Sequence, residues 1–328
     1  MSDRFFSLVL QKEPRHVDDA AVVERLRDLV APIGLSVSLL KDGLDGGPAV
    51  LEIGGAKVSI VRQAQPVPDG TLERVARGSI GWPEAPAAVA VHTGHVIVGC
   101  LEEAQDHQQA LHFAAMTTLA TAAVLQESDG LGVYWSTGEI MVSGGGWQQA
   151  AAAILAKSLP VADWINLIWR RGGEGEIGAA TEGARAFFGM EIEFAPARLQ
   201  PAEIAGKLFN VVHYLLMNGA VLKDGDTLGQ SAEEIIRVRF RERGAQFDGR
   251  VIELSLERGE PMPEPVSRPA QQSAPMAASA PEAAPTGAGP VSEAGDGTPP
   301  VAMPAMPLPD AGKPARPRRP VFGRRGLN

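Results

Sequence analysis

Two histidines stand three residues apart in the segment His92-Thr-Gly-His95. Imidazole nitrogens are frequent metal ligands. On a regular strand, positions i and i+3 point to opposite faces, so both rings would reach one metal ion only across a bulge, which Gly94 is able to provide. Two hypotheses follow, a metal site or histidines that hydrogen-bond inside the fold, and the spacing favours the second.

Two carboxylates, Asp224 and Asp226, lie close together in the segment Lys223–Gly229. A carboxylate pair is able to bind Mg²⁺ or to exchange protons with a substrate. The segment is too short for an EF-hand loop and lacks its terminal glutamate. A turn whose aspartates bond backbone amides explains the same residues, and it is the favoured prediction.

A glycine pattern at Gly173–Gly178 matches Gly-x-Gly-x-x-Gly literally. In a phosphate cradle the loop amides face the pyrophosphate and a helix follows. Here Glu174 and Glu176 stand where the phosphate would lie, and the residues that follow do not open a convincing helix. A hairpin or surface loop is therefore predicted, and the sequence predicts no cofactor.

Three further features are assigned to the scaffold. Ser143 before three glycines is typical of a capped turn, because it lacks the flanking residues of a nucleophile elbow. The single cysteine, Cys100, lies in an apolar segment and is predicted to be an inert core residue. The tryptophans are assigned to the core because the only basic residues beside them are Arg170 and Arg171. The five are Trp82, Trp135, Trp147, Trp164 and Trp169.

The apolar pattern of residues 1–258 switches repeatedly between a period of two and a helical period, which is typical of alternating strands and helices. The prediction for the first part is strand 5–10, a helix capped by Asp18 or Asp19, strand 35–40, a hairpin 50–61 turning at Gly54-Gly55, helix 71–77, and a strand or strand pair at 87–101.

The second part begins with the longest predicted helix. The prediction is helix 104–126, strand 132–135 with 140–142 beside it, helix 147–157, an extended segment 164–170, a half-exposed strand 190–194, helix 201–216, and strands 235–240 and 251–256. In helix 201–216, the spacing places Leu208 and Leu215 in the core with Val211 or Val212.

These elements predict an α+β protein with two ferredoxin-like α/β lobes, at residues 1–103 and 104–258. The first is interpreted as β-α-β-β-α-β, and the second as repeating that order. The whole chain of 328 residues carries 30 Lys and Arg against 39 Asp and Glu. This formal net charge of −9 disfavours a polybasic or sequence-specific nucleic-acid-binding role. Because the chain has one cysteine and lacks an apolar run of membrane-spanning length, the cytoplasm is the expected location.

The composition changes sharply near Gly259. Residues 260–328 hold 16 of the chain's 26 prolines and one aromatic residue, Phe322, so this Pro/Ala-rich tail at 259–328 is predicted to be disordered. Its last sixteen residues contain six basic side chains and no acidic one. Phe322 stands between Arg318-Arg319 and Arg324-Arg325, an arrangement that predicts a linear motif for an acidic protein surface.

Several segments together resemble the bacterial family called domain of unknown function 4261. The resemblance implies a class of proteins and no particular reaction. Where the family pattern has an aromatic residue after Thr181 and a proline before the Glu-Ile-Glu segment, this chain has Glu182 and Met190. The segments that carry the resemblance are Trp82-Pro83, His92–Val98, Gly132–Trp135, Thr181 with Phe188–Glu193, and Asp224–Gly229, within residues 5–256.

Two hypotheses of function follow. The first is a non-catalytic protein-interaction module whose tail carries the partner-binding residues Phe322, Arg318, Arg319, Arg324 and Arg325. It is favoured because the sequence does not bring a nucleophile, a base and an oxyanion site into one pattern. The alternative is a small-molecule-binding or metal-dependent hydrolytic enzyme that uses His92, His95, Glu191, Glu193, Asp224 and Asp226.

Overall fold

The computed structural model describes residues 4–15, 17–43, 46–229 and 234–258, with only the backbone of Arg258. All of these residues lie in one compact unit. The predicted disordered tail and its terminal motif lie outside the described residues.

The first sheet has seven strands in the order β2-β3-β4-β5-β1-β6-β7, and every neighbouring pair is antiparallel. The first strand of the chain therefore lies inside the sheet, between β5 and β6. The strands are β1 (Phe6–Gln11), β2 (Val37–Lys41), β3 (Ala49–Ile53), β4 (Ala56–Gln63), β5 (Gly94–Cys100), β6 (Gly132–Trp135) and β7 (Ile140–Ser143).

Helices cover both faces of this sheet. On one face, Val9, Val96 and Val98 belong to the main core together with helices α1 and α4, which pack beside each other. On the other face, Leu8 and Leu10 belong to a second, smaller core with α2 and α3. The helices of this part are α1 (Asp19–Val30), α2 (Glu73–Gly78), α3 (Ala85–Val91), α4 (His107–Glu127) and α5 (Gly144–Leu155), with a 3₁₀ turn at Ala31–Ile33.

The second sheet has six strands in the order β11-β12-β13-β10-β9-β8. Strands β10 and β13 are parallel and the other neighbours are antiparallel, so this sheet does not copy the first. Helix α8 packs on β9 and β10. The elements are α6 (Val161–Trp164), β8 (Asn166–Arg171), β9 (Ile177–Glu182), α7 (Arg185–Phe188), β10 (Glu191–Ala197), α8 (Pro201–Asn218), β11 (Thr227–Leu228), β12 (Glu234–Arg241) and β13 (Val251–Arg258).

The main core continues from the first sheet into the second. Its centre is a group of rings in which Trp135 of β6 contacts Trp147 of α5 at 5.5 Å and Trp164 of α6 at 6.4 Å between centroids. Trp164 also stacks on Phe187 of α7 at 5.6 Å. Aromatic side chains therefore join the elements of the two sheets, because each ring buries a large apolar area.

The α+β class is confirmed, and so are several elements. Asp18 caps α1 by accepting a hydrogen bond from Ala20 N. Gly54 and Gly55 both have positive φ, as a two-residue hairpin turn requires. In α8, Leu208, Val212 and Leu215 are fully buried and Val211 nearly so.

Two elements differ from the prediction. Residues 87–91, expected at the start of a strand, belong to α3, because Pro86 in the first turn and the alanines favour a helix over the alternating pattern. Strand β9 was missed, since Gly178, Ala179 and Ala180 have little intrinsic strand preference. In addition, β6 and β7 pair into the first sheet, so sheet membership changes after β7 and not at residue 103.

Among the described residues, no helix is long and apolar enough to cross a membrane. The longest, α4, has 21 residues, but it carries buried threonines that bond to its own backbone.

Candidate functional site

His92 and His95 both hold the segment that follows β4. The Nε2 atom of His92 accepts a hydrogen bond from Val67 N at 2.9 Å, and its Nδ1 donates to the carbonyl of Val89. Nδ1 of His95 lies 2.9 Å from the carbonyl oxygen of Gln65, and burial lowers the pKa of this histidine. Both ring nitrogens of His92 are therefore engaged by backbone groups, which supports the hydrogen-bonding interpretation.

Asp224 and Asp226 form a turn, as the favoured prediction has it. Asp224 Oδ1 accepts from Phe240 N at 2.7 Å, and Asp226 Oδ2 accepts from Lys223 N at 2.9 Å. Gly225 has a φ of +84°, which the turn requires. Asp224 thus ties the segment after α8 to the end of β12, and Asp226 closes the turn itself.

Glu191 is a buried carboxylate at the start of β10. Its Oε1 accepts from Gly183 N at 2.9 Å and Arg185 N at 3.2 Å, and its Oε2 accepts from Ala184 N at 3.1 Å and the Thr181 hydroxyl at 2.7 Å. Burial raises the pKa of Glu191, and these four donors oppose the rise. The side chain fixes the path of the chain from β9 into α7.

Glu193 does the same for a second loop. Its carboxylate accepts from Ala245 N at 2.8 Å and Gln246 N at 2.9 Å, in the connection between β12 and β13. A Cβ atom on Gly244 would lie 2.3 Å from Glu193 Oε1, so the close approach of this loop requires glycine there.

The strand predicted at 190–194 is confirmed as part of β10, but its half-exposed character is wrong. Glu191 and Glu193 are only 7% and 4% exposed. Neighbouring loops cover the acidic face and supply amide donors, so the carboxylates are bound by the protein's own backbone.

Glu182, at the end of β9, lies in a polar cluster where the two sheets meet. Its Oε2 accepts from Asn166 Nδ2 at 3.3 Å. Burial, together with the nearby charge of Glu139, raises the pKa of Glu182 to about 7. Arg74 of α2 forms an ion pair with Glu139, and burial raises the pKa of the neighbouring Tyr134 to about 12.

The backbone at this junction is tightly packed and strained. Glu139 has a φ of +42°, which is uncommon for a residue with a side chain. A Cβ on Gly138 would lie 2.4 Å from the carbonyl oxygen of Trp164, and one on Gly183 would lie 3.0 Å from the Thr137 carbonyl oxygen. Such strain and shifted pKa values concentrate at functional sites, so this cluster is the candidate site that the structure adds.

We expect Glu182→Gln to change how stability depends on pH. Because the pKa of Glu182 is raised to about 7 in the folded state, its stabilising contribution is complete below about pH 4.5 and is lost as the pH rises through 7. Glutamine does not ionise, so at pH 8 the variant should exceed wild type in unfolding free energy by about 1–2 kcal/mol, a figure reduced for partial exposure.

Urea unfolding between pH 5 and pH 8 measures this difference. Glu174→Gln, an exposed carboxylate in the β8–β9 loop, is the matched control and should follow wild type. Curves for wild type and Glu182→Gln that stay parallel over this range would contradict the assignment.

The remaining candidates have structural positions. Residues 173–176 lie in the turn between β8 and β9, and residues 177–178 begin strand β9 where a phosphate cradle would begin a helix. Ser143 caps α5 by accepting from Gly146 N at 3.1 Å. Burial raises the pKa of the Cys100 thiol to about 11. Trp82, Trp135, Trp147 and Trp164 are buried as predicted, whereas Trp169 is exposed.

The sequence did not predict the Glu182 cluster. Glu182 stood out only as a departure from a family pattern, and Arg74, Tyr134 and Glu139 carry no local signal. They come together because α2, the β6–β7 hairpin and β9, which are far apart along the chain, pack against one another. Across residues 4–15, 17–43, 46–229 and 234–258, no three His, Cys, Asp or Glu side chains are grouped so that they could hold a metal ion.

Residues 180–255 match the family model described as Domain of unknown function (DUF4261). This range runs from β9 to β13 and contains Glu182, Glu191, Glu193 and the Asp224–Asp226 turn. The resemblance read from the sequence is thus confirmed for this part of the chain. No curated protein and no solved structure matches.

Proposed function

We propose that this protein is a non-catalytic interaction module that binds a protein partner through a linear motif in its tail. The observation that supports this most is the engagement of the side chains best suited to chemistry. His92, Glu191, Glu193, Asp224 and Asp226 all bond backbone groups of the protein itself. Groups used in this way build loops and turns.

The alternative, an enzyme that uses His92, His95 and the Asp224–Asp226 turn, would require these contacts to break. His92 would have to release either Val67 N or the carbonyl of Val89 before a ring nitrogen could bind a metal ion. Releasing a buried backbone partner costs about 1–3 kcal/mol. The interaction module needs no such change.

The fold offers a rigid support for the motif. We infer that the first sheet is built on a ferredoxin-like unit, which the strand order β4-β5-β1-β6 and the packing of α1 beside α4 on one face support. Its second helix and last strand are then α4 and β6, and the pair β2–β3 and helices α2 and α3 are additions. Fold alone does not determine function, so the motif carries the proposal.

Phe322 would act as the anchor of the motif. An aromatic side chain fills a pocket on the partner, while Arg318, Arg319, Arg324 and Arg325 pair with acidic residues around it. The proline-rich residues before the motif act as a tether, which keeps the peptide at high local concentration near the folded unit. The partner is therefore expected to be an acidic protein that shares the cytoplasm with this chain.

Affinity capture from lysate with the full chain and its Phe322→Ala variant tests the proposal. We expect wild type to retain, at about 0.3 M salt, proteins that Phe322→Ala loses, because an apolar anchor survives screening that removes exposed charge attraction. Phe322→Trp, which keeps an aromatic ring, should retain them.

A peptide of residues 313–328 should compete for the same proteins. If wild type and Phe322→Ala capture the same proteins, and salt releases all of them, the tail adheres by charge alone. That result would overturn the motif.

A further inference from the structure

Strand β8 forms one edge of the second sheet and is neither shortened nor bulged, although Arg170 and Arg171 charge its end. It pairs with β9 through six consecutive residues without a register shift and contains no proline. Edge strands are normally shortened, bulged or marked with charged side chains, lysine above all, because a long regular edge pairs with other chains. Three other strands end the sheets of the described chain, and each is modified: β2 has a register shift before Lys41, β7 has four residues and β11 has two.

The backbone of β8 has groups that face away from β9, and pairing with another strand would replace the acceptor that one of them now has. Leu167 N lies 2.9 Å from the Asn166 side-chain oxygen and is capped by it instead of by a strand. In an antiparallel ladder, residues two apart direct their N–H and C=O groups the same way. Trp169 and Arg171 therefore also direct theirs away from β9.

The side chains of β8 are self-complementary. Leu167 and the exposed Trp169 lie on one face, whereas Arg170 lies on the other face with Asn166. Glu182 stands opposite Asn166 in the register. Within the described chain, neither Arg170 nor Arg171 forms an ion pair. Glu182 of β9 accepts a hydrogen bond from Asn166, and a further cation beside it would favour its charged form.

We propose that β8 pairs in antiparallel fashion with β8 of a second copy of this chain, around a twofold axis at Ile168. This register bonds Leu167 to Trp169 of the partner subunit through outward backbone groups, and it places their apolar side chains on the same face. The axis repeats the contact, so Trp169 also bonds the partner's Leu167.

The same register brings opposite charges together. Arg170 lies opposite Asn166 of the partner subunit. The partner's Glu182 lies in the next strand, beyond that asparagine. Alternate strands are about 9–10 Å apart, a span that an arginine and a glutamate side chain bridge together. Because the contact is short, its area falls below that of a standard interface, and the dimer is expected to be weak and concentration-dependent.

Sedimentation velocity of the full chain from about 1 to 200 µM tests the dimer, a range suited to a micromolar dissociation constant. Arg170→Glu should weaken association at least about tenfold, equal to 1.4 kcal/mol. Arg171→Glu is the matched control, since it makes the same charge change on the other face and should leave association unchanged. Phe322→Ala should also leave it unchanged, which separates this contact from the tail motif.

Disulfide trapping tests the register. Residues opposite each other on the axis form a pair with Cα atoms about 4.5–5.5 Å apart, within disulfide range. Ile168→Cys should therefore cross-link under mild oxidation, and Trp169→Cys should not, because it faces position 167 of the partner subunit. Native Cys100 is buried, so it does not compete.

A chain that stays monomeric throughout the concentration range would overturn the proposal. Equal weakening of association by Arg170→Glu and Arg171→Glu would also overturn it. That result would mean that the copies attract each other by charge without a defined strand register. Preferential cross-linking through Trp169→Cys would contradict the axis at Ile168.

Discussion

Replacing Glu191 by glutamine is expected to lower the free energy of unfolding by about 2–5 kcal/mol. Each carboxylate oxygen of Glu191 accepts from at least one backbone N–H. In either orientation of a glutamine side chain, its NH₂ group therefore faces a backbone N–H that has lost its acceptor. Each buried donor left without an acceptor costs about 1–3 kcal/mol. Urea unfolding followed by tryptophan fluorescence reports the change, because Trp164 packs on Phe187 in the adjoining helix.

Glu203→Gln is the control for that measurement. Glu203 also accepts a backbone N–H, from Gln200 at 2.8 Å, but it is exposed at the start of α8. Its replacement should cost no more than about 0.5–1 kcal/mol, since water is able to take the place of the lost bond. If Glu191→Gln and Glu203→Gln lower the free energy of unfolding by the same amount, the burial of Glu191 does not make its hydrogen bonds more stabilising than exposed ones.

Leu208→Ala should also cost about 2–5 kcal/mol, because it leaves a cavity where α8 packs on the second sheet. Leu208 is completely buried, in the same helix as Met217, which is 53% exposed. Met217→Ala is therefore the matched control and should change stability by less than about 0.5 kcal/mol. A loss below that value for Leu208→Ala would mean that this face of α8 does not pack as the structure has it.

Elements whose signals are local were predictable. Helix α8 combines a first-turn proline, a regular apolar spacing and Gly219 just past its end. The hairpin of β3 and β4 depends on two adjacent glycines. In both cases the residues that determine the structure lie within the element, so neighbours far along the chain do not have to be known.

Elements whose environment comes from distant segments were not predictable. Glu191 and Glu193 have the alternation of a half-exposed strand. Yet the N–H groups of residues 183–185 bond Glu191, and those of residues 245–246, 52 and 53 positions along the chain, bond Glu193. The pKa of Glu182 similarly depends on Glu139, which lies in the turn between β6 and β7 of the first sheet. Alternation of polar and apolar residues indicates only which side chains share a face, and it does not indicate what covers that face.

The position of β1 inside the first sheet has a consequence for folding during synthesis. Its two neighbours are β5 and β6, whose residues follow it by roughly a hundred positions in the chain. A ribosome that adds about 5–20 residues per second needs several seconds before both neighbours are made. Until residue 100 is made, the apolar residues 8–10 have neither neighbouring strand, and their β6 side stays unpaired until residue 135 is made. The nascent chain therefore depends on protection from aggregation during this time.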